Sequence, residues 1–176
     1  MNHADHVDLI RDGVAGAGHV WADLGSGRGA FTLALAECLG SGGEIHSVDR
    51  DRGALRTQAE AMKVNFPETT LVQYAEDFTR PIAMPPLDGV MAANALHFVD
   101  DKQPVIERIH DMLKPGGRLI VIEYGTDRGN TWVPYPLSFK SFEQLAERGG
   151  FVDVRCLHVR PSRFLGEIYA AVAFRS

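Results

Sequence analysis

Short runs of β-branched and apolar residues alternate along the chain with longer stretches whose apolar positions recur every three or four residues. This is the rhythm of βαβ units around a mostly parallel sheet. It predicts strands at Val20 to Leu24, Glu44 to Val48, Thr70 to Tyr74, Gly89 to Ala93 and Arg118 to Glu123. The helix faces between them are Phe31, Leu33, Ala34, Leu35 and Leu39, then Leu55, Ala59, Met62 and Phe66, then Val105, Ile109, Met112 and Leu113. Lys114-Pro115-Gly116-Gly117 is expected to close the third of these helices, and Pro81 to Pro86 to replace a crossover helix before the fourth strand. The rhythm then changes: a loop from Gly125 to Leu137, a helix from Phe139 to Arg148, and strands at Phe151 to Val159 and Gly166 to Phe174. The Pro161-Ser162-Arg163 link is too short for a crossover, so the last two strands are expected to be antiparallel.

Length and composition narrow the class. At 176 residues the chain fits a single compact domain, and 45% hydrophobic with 23% charged residues is ordinary globular composition. A formal net charge of -5 argues against nucleic acid as a partner. No long apolar run or leader-like segment is seen, so no membrane association and a cytoplasmic location are expected. Cys38 and Cys156 lie far apart and are expected to be buried thiols in a reducing compartment.

The richest chemistry follows the first strand, in Asp23-Leu24-Gly25-Ser26-Gly27-Arg28-Gly29-Ala30. Glycines let backbone N–H groups approach a ligand, and the helix that begins behind them points its free amides the same way. Asp49 ends the second strand, where a carboxylate can accept hydrogen bonds from both ribose hydroxyls. Gly25-x-Gly27-x-x-Ala30 also satisfies the dinucleotide fingerprint, so a nicotinamide-dependent oxidoreductase is a competing reading. Asp23 argues against it, since a carboxylate there repels a pyrophosphate and favours an ammonium or sulfonium.

These residues resemble the class I S-adenosylmethionine-dependent methyltransferases. Val20 to Ala36 is similar to the family's first motif, and Leu113-Lys114-Pro115-Gly116-Gly117-Arg118-Leu119 to its junction into strand five. The resemblance implies an α/β, Rossmann-like three-layer sandwich with seven strands in the order 3-2-1-4-5-7-6, mostly parallel with the last antiparallel. Residues 1–18 would form a helical segment, with Asp5 to Val14 laid over the pocket, 19–124 the cofactor-binding core, and 125–176 the loop, helix and antiparallel pair. It implies S-adenosyl-L-methionine as cofactor, held by Asp23, Gly25, Ser26, Gly27, Gly29 and Asp49, by Glu76, Asp77 and Phe78, and by Asn94 and Ala95. Arg50 departs from the family pattern, in which many relatives place an apolar residue against the adenine, and its aliphatic stem and planar guanidinium are what would cover the ring. The implied reaction is methyl transfer to a small-molecule acceptor, with S-adenosylhomocysteine as product and a homodimer as candidate assembly. A non-catalytic binder of the same cofactor is the alternative.

Two side chains are candidates for the chemistry. His97 follows the fourth strand and is the expected general base, and Tyr124 ends the fifth strand, where it would hydrogen-bond a substrate or cap the pocket. Trp132 and Tyr135 make the Gly125 to Leu137 loop a candidate lid, or else a loop anchored by its aromatics. Arg155, Arg160 and Arg163 are expected as solvated surface charges, and His3, Asp5 and His6 as a frayed terminus rather than a metal site.

Overall fold

A computed structural model describes residues 1–176. In chain order the elements are α1 (His3–Val14), β1 (Val20–Leu24), α2 (Ala30–Leu39), β2 (Glu44–Val48), α3 (Arg52–Asn65), β3 (Thr70–Tyr74) and β4 (Leu87–Ala93). There follow α4 (Gln103–Met112), β5 (Leu113–Tyr124), α5 (Phe139–Arg148), β6 (Phe151–Ser162) and β7 (Gly166–Arg175). They build one seven-stranded sheet in the order β3-β2-β1-β4-β5-β7-β6. β1 to β5 run parallel, while β7 pairs antiparallel with both β5 and β6. This is the expected fold, and its antiparallel β7 departs from the 3-2-1-4-5-6 order of dinucleotide-binding sheets. No helix is long and apolar enough to cross a membrane.

Alternation along the central strands divides the interior in two. Leu119 and Val121 of β5 face one core with Val105, Ile106 and Ile109 of α4 and Phe142 and Leu145 of α5. Ile120 and Ile122 face the other, with Leu9 and Ile10 of α1, Phe31 and Leu35 of α2, and Met62 of α3. Residues 81–86 form no helix, as the prolines predict, and Ile82 and Met84 pack against the first core instead.

Several expectations are corrected. α4 stops at Met112, before Lys114-Pro115-Gly116-Gly117, because the residue preceding a proline is driven to extended backbone. Those four residues bulge within β5, between the Leu87–Leu113 and Gly89–Arg118 pairs, with Gly116 at φ 75. The N-terminus is not frayed: Asn2 and Asp5 form a reciprocal capping box on α1. α1 packs on α2 and the sheet through Val7, Leu9, Ile10 and Val14, and Met1 just before it lines a cleft beside Tyr124. Its His3 pairs with Glu37 at 2.7 Å and its His6 lies against Phe31. Arg160 is no solvated charge either: Nη1 reaches Asp5 at 2.6 Å and Nη2 reaches Asp8 at 3.2 Å, fastening α1 to β6. Cys156 is exposed, because β6 is an edge strand with one neighbour, and Cys38 of α2 is only half-buried.

Candidate active site

Open α/β sheets bind ligands beyond the carboxyl ends of their strands, and the glycine loop stands there between β1 and α2. Gly25 and Ser26 donate their N–H groups to Val48 O at 2.9 and 3.0 Å, tying the loop to the end of β2. Gly27 N donates to Asp49 Oδ2 and Asp51 N to Asp49 Oδ1, both at 2.8 Å. Gly25 lies at φ 73, and a Cβ there would come within 2.6 Å of Ala95 Cβ. Gly27, at φ 54, faces open space. Gly29, at φ 91, backs onto Gln58 of α3 and is the N-cap of α2, which has no capping side chain. The first amides of α2 therefore have no capping side chain to accept from them.

Beneath the loop runs a buried polar chain that single-residue reading did not find. Ser26 Oγ meets Ser47 Oγ at 2.7 Å, and Ser47 donates to Gln58 Oε1 at 2.7 Å. Gln58 Nε2 donates to Thr32 at 2.8 Å, and Thr32 donates to Asp23 Oδ2 at 2.5 Å. Asp23 is therefore turned inward on Thr32, is 1% exposed and lines no cleft. Burial pushes its carboxyl up to about 7, against the Thr32 hydrogen bond, and Asp49 adds a smaller upward push. The signal for this chain was a glutamine on the inward face of α3 and a serine inside an apolar strand.

A cleft of about 180 Å³ opens above the loop. It is lined by Gly25, Asp49, Arg50 and Glu76 together with Phe78, Asn94, Ala95 and Phe98. Asp77 stands just outside, where hydrogen bonds from the Thr79 hydroxyl and backbone hold its carboxyl below the usual range. Arg50 reaches toward Asp77 at 3.7 Å with its side chain 76% exposed, so its guanidinium is turned to that carboxylate. Asn94 takes a left-handed backbone, φ 51, with its N–H on Ile122 O at 2.8 Å. Its Oδ1 is buried and has no hydrogen-bond partner. A second cleft of about 520 Å³ shares Asn94 as a wall and continues past Tyr124 to the β6–β7 hairpin. A third cavity, of about 270 Å³ near Gly40 and Pro67, sits at the opposite strand ends, before β2 and β3.

His97 does not line either cleft. It lies in the one-turn helix Leu96–Phe98, 3% exposed, with Nδ1 2.7 Å from Glu123 Oε2 and its backbone N–H on Glu123 Oε1 at 3.2 Å. Glu123 is fully buried, and sequence reading passed it over as an ordinary strand end. Tyr124 lines the second cleft, where burial chiefly and the nearby Glu123 hold its phenol above the usual range and keep it protonated. Trp132 is 74% exposed and lines neither cleft.

Residues 22–119, from β1 into β5, match the family model described as a methyltransferase domain. The chain belongs to that methyltransferase family. Among curated relatives, a ubiquinone/menaquinone biosynthesis C-methyltransferase of Pasteurella multocida is 31% identical over 109 residues, covering 61% of this chain and 40% of that protein. An O-methyltransferase of Pyrenophora dematioidea is 25% identical over 160 residues, covering 79% of this chain and 58% of the other. The chain thus spans about half the length of the curated relatives it matches. The fold is shared with magnesium protoporphyrin IX methyltransferase from Synechocystis PCC 6803, solved with bound S-adenosylmethionine. That likeness has a TM-score of 0.74 at 15% identity and covers 99% of this methyltransferase domain and 80% of that chain.

Proposed function

We propose that this methyltransferase domain binds S-adenosylmethionine in the Asp49–Asn94 cleft and transfers its methyl group to a small molecule. One observation carries the reading: Asn94 holds a left-handed backbone and presents a buried acceptor, Oδ1, that nothing in the chain satisfies. A buried unpaired acceptor is costly, and a ligand ammonium is the donor that would remove the cost. The other residues around the cleft fit the same group. Asp49 keeps lone pairs for ribose hydroxyls while two backbone amides hold its carboxylate still. Phe78 offers an apolar face for a flat base, Glu76 a polar edge beside it, and Gly27 leaves room for close backbone approach.

When bound between Asp49 and Asn94, the cofactor would supply an electrophilic methyl group on a sulfonium. The chain's part is then to hold the partners in line and keep water out, which supplies most of the acceleration in displacements at such a methyl carbon. We assign His97 a positioning role in place of the expected base. Glu123 clamps both its ring and its backbone, and so fixes the Asn94–Phe98 segment that walls the cleft. Tyr124, protonated and on the second cleft, is the group placed to hydrogen-bond an acceptor.

Calorimetric titration with S-adenosylhomocysteine tests the reading. Asp49→Ala is expected to weaken binding by about 1–3 kcal/mol through loss of a charge-assisted contact. Unchanged affinity would place the pocket elsewhere. Release of labelled methyl to a panel of phenols, amines, thiols and carboxylates separates an enzyme from a non-catalytic binder of the same cofactor.

A further inference from the structure

We infer that the second cleft takes a methyl acceptor with a flat apolar body and an oxyanion substituent, and that Arg163 and Phe164 select it. The inference rests on the cofactor reading above, because Asn94 is the wall the two clefts share.

The two clefts are sorted by charge. The smaller one carries Asp49 and Glu76, and its one cation, Arg50, is turned to Asp77. It is a place for a cationic donor. In the larger cleft, which Met1 also lines, Arg163 is the one charged side chain, and no carboxylate lies within ion-pairing distance of it. Arg160, three residues earlier on the same hairpin, shows the contrast: it is saturated by Asp5 and Asp8. An arginine with its fork free, at the mouth of a cleft, matches a planar or tetrahedral oxyanion in two hydrogen bonds. Glu167 does not neutralise it. Its neighbour Ile168 pairs with Tyr124 on the cleft face, so alternation puts the Glu167 side chain on the opposite face, beside Gly125.

The remaining walls set the shape. Phe164 is 51% exposed and stands 5.7 Å from the Tyr124 ring, tilted by 59°. A large apolar ring left half in water at a cleft mouth favours stacking on a flat partner. The tip that carries it is held by Phe164 N on Ser162 Oγ at 3.3 Å. Pro161 and Ile168 complete an apolar floor, and about 520 Å³ admits a ligand of one or two fused rings.

The test uses the whole chain with saturating S-adenosylhomocysteine, titrated with 1-naphthoate, 1-naphthyl phosphate and neutral 1-naphthamide. At least one of the two anions is expected to bind tenfold or more tighter than the amide, and which one does so distinguishes a carboxylate from a phosphate acceptor. Arg163→Gln should abolish the preference, Phe164→Ala should weaken all three ligands, and Arg155→Gln, a cation outside the cleft, should change neither. S-adenosylhomocysteine affinity should be the same in every variant. Cofactor binding without preference for either anion, or equal loss in Arg155→Gln and Arg163→Gln, would overturn the acceptor inference and leave the cofactor reading standing. Failure of S-adenosylhomocysteine itself to bind would instead remove the reading beneath it.

Discussion

Glu123 grips His97 at two points, accepting from the backbone N–H with one carboxylate oxygen and pairing with ring Nδ1 through the other, with both side chains out of water. Removing one partner leaves the other buried and alone, which costs about 3–5 kcal/mol in comparable pairs. Glu123→Ala is therefore expected to lower the free energy of unfolding by that amount in urea titration, and His97→Ala to do nearly the same. The double variant should lose much less than the sum of the two. Additive losses would mean that the pair is not coupled.

The first two glycines of the cleft loop, Gly25 and Gly27, should fail in different ways. Both sit at positive φ, which costs a residue with a side chain about 1–2 kcal/mol. In Gly25→Ala the new methyl also meets Ala95 Cβ at 2.6 Å, so folding stability should fall further. In Gly27→Ala the methyl projects into open space, so the loss of stability should stay near the backbone cost while S-adenosylhomocysteine binding weakens at least tenfold. Thermal melts beside calorimetry separate the outcomes, and equal binding loss without any difference in stability would contradict this account.

Asp23 makes a pH-dependent contribution of unusual sign. Its carboxyl lies near 7 in the folded chain and at the ordinary 3.8 when unfolded. Between those values the folded state binds the proton more tightly, so stability should fall as pH rises from about 4 to about 7, by up to about 1.4 kcal/mol per unit. Above that window the full cost of a buried charge remains. Asp23→Asn should flatten the curve and be more stable than the parent at pH 8. Unfolding free energies of the two proteins running parallel from pH 4 to 8 would refute it.

The Gly125–Leu137 loop is not anchored by its tryptophan. Val133, Pro136 and Leu137 are the buried residues there, Asn130 Oδ1 accepts from Trp132 N and Val133 N, and Tyr135 N reaches His97 O at 3.0 Å. Trp132→Ala is accordingly expected to change stability by less than about 0.5 kcal/mol. A larger loss would restore the anchoring role. With stability unchanged, slower single-turnover transfer in the same variant would identify the ring as part of a lid.

What a sequence reader could recover here follows the range of the forces involved. The parallel strands announced themselves as short β-branched and apolar runs, most deeply buried in β1 and β4 at the middle of the sheet, and the glycine loop because its backbone admits little else. β5 was read five residues late, at Arg118, since the Leu113–Leu87 pair that starts it joins segments 26 positions apart. Glu123 and the Ser47–Gln58–Thr32–Asp23 chain went unseen for the same reason: each polar group is satisfied by a partner on another element. Arg160 looked like surface because Asp5 and Asp8, which hold it, lie at the other end of the chain.

Asn94, the wall between the clefts, is also one of only two non-glycine residues at positive φ. No substitution there can retune one chamber while sparing the other, and few side chains tolerate its backbone. Divergence toward new acceptors is thereby channelled away from the β4 end and onto the Pro161–Ile168 hairpin tip, which borders only the larger chamber. Exchanging that tip is the route by which this scaffold could be bred for other substrates without relearning how to hold its methyl donor.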